Sequence, residues 1–505
     1  MARKSQIIEA TPAAISRVTV RVHPEVRRHR LNRNLYGHFA EHIGRCVERG
    51  IWVGDHKEIE NEGGIRLDTV ELLARLELPV LRWPGGCFAD NYHWQDGIGP
   101  REGRKQRHNL WWNQSEDCQF GTDEFMRFCK LIGTEPYFCA NVGSGTVQEA
   151  ASWVEYCNSA QDTTITRQRR ENGQEAPYGV KYWGVGNENW GCGGSMRPEY
   201  YADLYRQYAT YMRQTAGPGC SFIASGSHAG IPDWEERFLD TMKGALHLVD
   251  YLAIHIYSAG GISDIAFKTE DYYRLIGQIS IMDRYLKKTI GLARAYSWYG
   301  HPIGVVLDEW GTWYKEAVVE SGMYQDSTMM DGLFAAASFH CFHEHGEDLA
   351  MTNMAQTVNV LQALKLTKGK QAIATPTYHV YDLFKPHRDG WLVASETLGA
   401  KRLSLPDAPE RDSLSVSCSV NDEGSELFIS LVNLDHAEAV QGALLLRDGV
   451  PWKLAEATQL GGMDLHSHNT FEEPQVVRPM KLIGVDIKAL ELPMASITTL
   501  RFEKG

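Results

Sequence analysis

The chain has 505 residues, 43% of them hydrophobic and 10% aromatic, and a formal net charge of -13. That length suits at least one sizeable core and two domains, while the acidic balance argues against a nucleic-acid or anionic-membrane partner, since nothing would offset phosphate repulsion. No apolar run approaches the roughly 18 residues of a membrane span.

Ten cysteines stand at 46, 87, 118, 129, 139, 157, 192, 220, 341 and 418, without a C-x-x-C pair or a repeated spacing. They read as reduced thiols of a cytoplasmic protein. The opening "MARKSQIIEATPAAISRV" has early basic residues but no apolar stretch of secretory length, so export is not expected.

In chain order, "SRVTVRVH" alternates like a strand and is expected to join a β-domain distant in sequence. Then "LYGHFAEHIG" presents His38, Glu41 and His42 as H-x-x-E-H, the signature of inverted zinc proteases. Glycines bracket that stretch and no helical stripe continues on either side, so a metal site is not expected there.

Eight short apolar runs follow one another from residue 34 to 356: "NLYGHFAE", "PVLRWPGG", "PYFCANVG", "VKYWGVGNEN", "SFIASGSH", "YLAIHIY", "GVVLDEWG" and "LAMTNMAQ". Amphipathic stretches separate them, among them "DTVELLARLEL", "TDEFMRFCKLIG" with Thr122 as its expected N-cap and Gly133 as its stop, and "PEYYADLYRQYATYMRQ". Eight strands alternating with helices predict a (β/α)8 TIM barrel over 24–387. Beyond it, "SLSVSCSV", "ELFISLVNL" and "ASITTLRFE" alternate between turn signals. They predict an antiparallel, jelly-roll-like β-sandwich made of 1–23 and 388–505.

A barrel of this kind builds its site where strands end. The fourth run closes on Asn187 and Glu188 and the seventh on Asp308 and Glu309; Glu41, His255, Tyr257 and Gln356 close the first, sixth and eighth. Two carboxylates converging at one mouth are what glycoside hydrolysis needs, one to protonate the leaving oxygen and one to attack the anomeric carbon or activate water. Glu188 and Glu309 are the expected pair. Successive strand residues face opposite sides, so only one of Asp308 and Glu309 is expected in the mouth.

Trp83, Tyr92, Trp94, Trp111, Trp112, Trp190, Trp310 and Trp313 crowd the same loops, where rings suit the C–H faces of sugars. The stretch "REGRKQRHNLWWNQSEDCQ" is expected to line the outer cleft, with Trp112 or Trp111 as a stacking platform, and its basic residues fit an oligomer contact equally well.

The motifs "YGHFAEHIGR", "LRWPGGCFADNYHWQDGIGPRE", "ANVGSGTVQE", "KYWGVGNENWGCGG", "LDEWGTWY" and "NMAQTVNVLQ" resemble, in order, the α-L-arabinofuranosidases of glycoside hydrolase family 51. The resemblance implies that Glu188 is the acid/base, Glu309 the nucleophile, and Asn187 the partner of the sugar 2-hydroxyl. Glu41, His255, Tyr257 and Gln356 match substrate-pocket or nucleophile-supporting positions. Cys87 falls where some members carry Asn, which leaves one sugar contact weakened.

The implied reaction is the retaining removal of terminal arabinofuranosyl residues through a covalent glycosyl-enzyme, with no cofactor or metal. The implied partners are arabinose-containing oligosaccharides or polysaccharide side chains, and the implied assembly is a homo-oligomer, with a hexamer suggested. A β-xylosidase or β-1,4-glucan-active enzyme is the nearest alternative, because one retaining pair serves several sugars. A metal hydrolase using His340, His343 and His345 of "SFHCFHEHG", a nucleotide site at "GVGNEN" and a non-catalytic sugar-binding protein are the more distant ones.

Overall fold

The computed structural model describes residues 16–297, 301–447 and 449–505; the expected absence of an N-terminal leader therefore falls largely outside the described residues. All eight expected runs form parallel strands of one closed barrel: Gly37–Phe39, Val80–Trp83, Glu135–Ala140, Tyr182–Val185, Ser221–Ala224, Tyr251–Ser258, Gly304–Thr312 and Leu349–Ala355. Such strands are covered on both faces, which is why Val80–Trp83 is buried throughout and its sequence reads as a continuous run. Val80, Tyr137, Ile223, Ala253, Val306 and Met351 pack together as an apolar plug inside the barrel. Polar side chains on the same strands lie above that plug and belong to the site.

The helices follow their apolar stripes. Thr122–Ile132 is capped one residue earlier than expected: Gly121 is the N-cap, and its N–H donates to Glu124 Oε2 at 3.0 Å. Thr122 enters the helix instead, and its hydroxyl accepts Trp153 Nε1 at 3.0 Å. Gly133, at φ 72°, ends the helix in the left-handed region that glycine adopts without cost. Met329–Glu344 is buried along its length up to His343 because it lies between the barrel and the β-domain, so it shows no solvent-facing stripe.

The β-domain is one nine-stranded, mostly antiparallel sheet. Its first strand, Ser16–Arg30, pairs antiparallel with Trp391–Leu398 and parallel with Val440–Leu446, so the N-terminal segment does join the distant domain. That strand continues to Arg30, past the boundary expected at 23/24, and the barrel begins only after it. Val20, Cys418, Leu444, Ala457 and Leu500 share one apolar core although their strands are spread across the sheet order, so the sheet curls over its own interior. No helix among the described residues is long and apolar enough to cross a membrane.

Candidate active site

The site is assembled at the C-terminal ends of the barrel strands. Glu309 lies in the seventh strand, and the register beside the sixth strand passes from Leu307↔Ile254 to Glu309↔His255, leaving Asp308 as an extra residue. This β-bulge breaks the alternation of faces, so both carboxylates turn toward the barrel interior, yet only Glu309 lines the mouth, as expected. Val306 belongs to the barrel plug while Leu307 and Trp310 pack outward, and both Asp308 and Glu309 meet Arg82 inside the barrel. Asp308 sits in the structural layer, accepting Tyr137 Oη at 2.8 Å and Asn353 Nδ2 at 2.9 Å.

Glu309 accepts Arg82 Nη1 on Oε1 and Tyr257 Oη on Oε2, both at 2.8 Å. Burial alone would raise its pKa, but His255, Arg82 and Tyr257 together hold it below the usual carboxylate range. Arg82 also donates to Asn187 Oδ1 at 2.5 Å. The guanidinium is fully buried, so its fork fixes two strand ends against each other.

Glu188 follows the fourth strand in the turn "GVGNEN". Gly186 is required there: its φ is 85°, and a Cβ would stand 2.2 Å from Asn189 Oδ1. Glu188 itself holds φ 43°, a left-handed conformation that costs a non-glycine residue about 1–3 kcal/mol and recurs at functional sites. Its Oε1 lies 2.9 Å from His255 Nδ1, which is in turn 3.6 Å from Glu309 Oε2. Burial works against the His255 imidazolium, yet Glu309 and Glu188 hold its pKa above the ordinary value. One oxygen of each carboxylate and the His255 nitrogen all lie within 4.8 Å of one another.

Glu41 accepts Phe88 N at 3.0 Å and Trp112 Nε1 at 2.9 Å on one oxygen and Gln356 Nε2 at 3.0 Å on the other. Burial, then the charge of Glu309, pushes its pKa up to about 7. Glu188, Glu309, Glu41, Cys87, His255, Tyr257, Gln356 and Trp112 all line one cavity of about 410 Å³. Asn187 does not line it; it is 1% exposed and stands behind, tied to Arg82 and through its N–H to Asp90. Larger hollows of about 820 and 880 Å³ contain neither Glu188 nor Glu309.

Two expectations about cysteine are corrected. Cys87 is joined to Cys192 in a disulfide with Cα atoms 5.6 Å apart, so these two are not thiols, and the other eight remain free. The bridge ties the loop after the second strand to the loop after the fourth. Cys192 Sγ lies 3.6 Å and Cys87 Sγ 4.0 Å from Glu188 Oε2, packing against the carboxylate with no proton to share.

Of the aromatic residues, Trp112, Trp190 and Trp313 line the cavity, whereas Trp83, Tyr92, Trp94 and Trp310 belong to the core and Trp111 is 42% exposed outside it. Arg82, Cys192 and His228, the last on the cavity wall, were missed from sequence. The only available signals were a charge inside the apolar run "VLRW" and a histidine closing the fifth run.

The H-x-x-E-H letters separate in space. His38 lies in the first strand, and burial drives its pKa down to about 3. His42 Nδ1 faces Glu116 Oε2 at 2.9 Å while its Nε2 accepts Trp83 Nε1 at 3.1 Å. Neither belongs to a three-residue donor cluster among the described residues.

Sequence models of an α-L-arabinofuranosidase 1 domain and an α-L-arabinofuranosidase C-terminal domain match residues 72–273 and 308–496. The chain is 41% identical over 498 residues to an intracellular exo-α-L-arabinofuranosidase of Bacteroides ovatus, covering 96% of this chain and 95% of that relative. The GH51 arabinofuranosidase of Xanthomonas axonopodis pv. citri superposes with a TM-score of 0.90 at 33% identity, over 97% of this chain and 100% of that one. The arabinose complex of the Thermotoga maritima α-L-arabinofuranosidase gives 0.86 at 30% identity, over 96% and 100%. With the barrel, the paired carboxylates and these relatives in agreement along nearly its whole length, the chain belongs to the α-L-arabinofuranosidases of glycoside hydrolase family 51.

Proposed function

We propose that the protein removes terminal, non-reducing α-L-arabinofuranosyl residues from arabinan- or arabinoxylan-type oligosaccharides by double displacement, with Glu309 as nucleophile and Glu188 as acid/base. The observation that carries this reading is the carboxylate spacing: oxygens of Glu188 and Glu309 lie within 4.8 Å. Retaining enzymes hold their carboxyl groups about 5–5.5 Å apart, whereas inverting ones need about 6.5–9.5 Å to admit a water.

Glu309, kept ionised by Arg82 and Tyr257, attacks the anomeric carbon while Glu188 gives its proton to the departing oxygen. Ester formation consumes the negative charge of Glu309 and removes its repulsion of Glu188, which then takes a proton from the incoming water. Glu41 and Gln356 serve the sugar hydroxyls, and Asn187, held behind them by Arg82, supports the strand end that carries Glu188. Cys87 contributes as half of a disulfide wall rather than as a hydrogen-bonding thiol. The buried Glu41, Gln356, Glu309 and His255 and the half-buried Trp112, Trp190 and Trp313 line the same cavity of about 410 Å³, which places polar groups and rings around one sugar.

Glu309→Ala is expected to abolish turnover, while Glu188→Ala keeps the first step on substrates with good leaving groups and is rescued by azide. A glycosyl azide of retained configuration is the expected product; an inverted one would sink the mechanism. A cytoplasmic location is supported by the relative named intracellular, and fractionation of the producing cell checks it. The homo-oligomer implied by the family is supported by Leu110 and Trp111, 60% and 42% exposed at the cleft hairpin, and light scattering measures it.

A further inference from the structure

The segment "SFHCFHEHG" at the end of the Met329–Glu344 helix divides between two faces. His340 and His343 turn toward serines of the β-domain. Cys341 and His345, four residues apart and so on one helical face, turn toward Asp283 of the neighbouring Thr269–Tyr296 helix. His345 Nε2 lies 2.8 Å and Cys341 Sγ 4.0 Å from Asp283 Oδ1, and one donor atom from each residue falls within 4.8 Å of the other two.

We propose that Asp283, Cys341 and His345 form a binding site for a borderline-soft divalent cation of the zinc class, clasping these two helices outside the catalytic cleft. Thiolate, imidazole and carboxylate are the donors zinc prefers, and its bond lengths of about 2.0–2.3 Å set donors on a tetrahedron roughly 3.3–3.8 Å apart. The observed separations bracket that range, so side-chain rotation closes the site. Binding forms one metal–sulfur, one metal–nitrogen and one metal–oxygen bond, with water in the fourth position and no electron transferred. The Cys341 thiol releases one proton to solvent, and the neutral imidazole carries its proton on Nδ1, leaving the Nε2 lone pair for the metal. Lys287, which pairs with Asp283 Oδ2 at 2.7 Å from an exposed position, moves into solvent. Burial and then the charge of Asp283 push the Cys341 thiol up to about 12, with the buried Arg411 guanidinium pulling the other way, so the thiolate forms only as the metal displaces its proton.

The test is a titration of the chelator-stripped, full-length protein with Co2+, read by thiolate-to-cobalt charge-transfer absorption. The expected result is a band saturating at one equivalent, bleached by Zn2+, and lost in Cys341→Ser and in His345→Gln, with Asp283→Asn weakening binding at least tenfold. His345 is near the surface, so His345→Gln carries the test if Cys341→Ser does not fold by circular dichroism. Reduction of the Cys87–Cys192 bridge would free two thiols beside Glu188, so the Cys87→Ser/Cys192→Ser double variant must retain the band. A folded wild type without a thiolate band, a band surviving in Cys341→Ser, or one lost only with the Cys87 and Cys192 pair overturns the proposal.

Discussion

Arg82 has no exposed atom, yet its guanidinium meets Asp308, Glu309 and Asn187. Removing one partner of a buried charge cluster costs about 3–5 kcal/mol, because the remaining charges stay buried without compensation. Arg82→Met is therefore expected to lower the apparent Tm and to raise the pKa of Glu309, whose proposed role as nucleophile requires the ionised form. The acid limb of the kcat/KM profile should then move to higher pH, and a profile with an unmoved acid limb would show that Arg82 does not hold Glu309 ionised. Tyr257→Phe removes one hydroxyl donated to the same carboxylate. A hydrogen bond to a charged group is worth about 1.5–3 kcal/mol, so kcat/KM should fall about 10–100-fold and the acid limb should move in the same direction. The site was legible where a polar residue closes an apolar run, as with Glu41, Glu188, His255, Glu309 and Gln356. It was not legible at Arg82, where a charge lies inside "VLRW" and only the barrel shows that three partners await it.

At the scale of the strand and its loop, the eight barrel strands were readable because each is a short apolar run buried on both faces. The bulge at Asp308 was not readable. It depends on how Gly304–Thr312 registers with Tyr251–Ser258, and nothing local in "LDEW" marks an extra residue. The disulfide was hidden for a related reason: Cys87 and Cys192 are 105 residues apart and meet only because the second and fourth strands end at the same mouth. A covalent loop of about 100 residues confines the unfolded chain by up to about 4.7 kcal/mol. Adding a reductant, or making Cys192→Ser, is accordingly expected to lower the apparent Tm by several degrees, measured by a thermal melt in and out of dithiothreitol. An identical melt in both conditions would show that the bridge does not form in the protein as prepared.

Across the whole molecule, the two domains meet on a seam of buried histidines and serines. Ser415, Ser417 and Ser419 alternate along Leu414–Val420, while Val416, Cys418 and Val420 on the other face of that strand pack into the sheet core. The serines face the barrel, where Ser415 pairs with His340 Nδ1 at 2.8 Å, Ser417 with His343 Nδ1 at 2.7 Å and Ser419 with His387 Nδ1 at 2.8 Å. Ser430 bridges the Nε2 atoms of His340 and His387, and Tyr36 Oη meets His343 Nε2 at 2.7 Å. "SLSVSCSV" thus looks like a strand with a solvent face, but that face is an interdomain seam. Burial keeps all three imidazoles neutral, driving His387 down to about 3 and His340 and His343 well below their ordinary value; Arg411 beside His340 and His29 beside His343 push the same way. Because the folded pKa values are depressed, the unfolded chain binds more protons between about pH 3 and 6.5, so stability is complete above that window and falls as the pH drops through it. At pH 5 His387 alone is 1.5 units below its unfolded pKa of about 6.5, a loss of about 2 kcal/mol at roughly 1.4 kcal/mol per unit. The apparent Tm should therefore decline steadily from pH 7 to pH 5, and His387→Gln, which cannot be protonated, should flatten that decline even if it lowers stability at neutral pH. A slope unchanged in His387→Gln would place the acid sensitivity outside the seam.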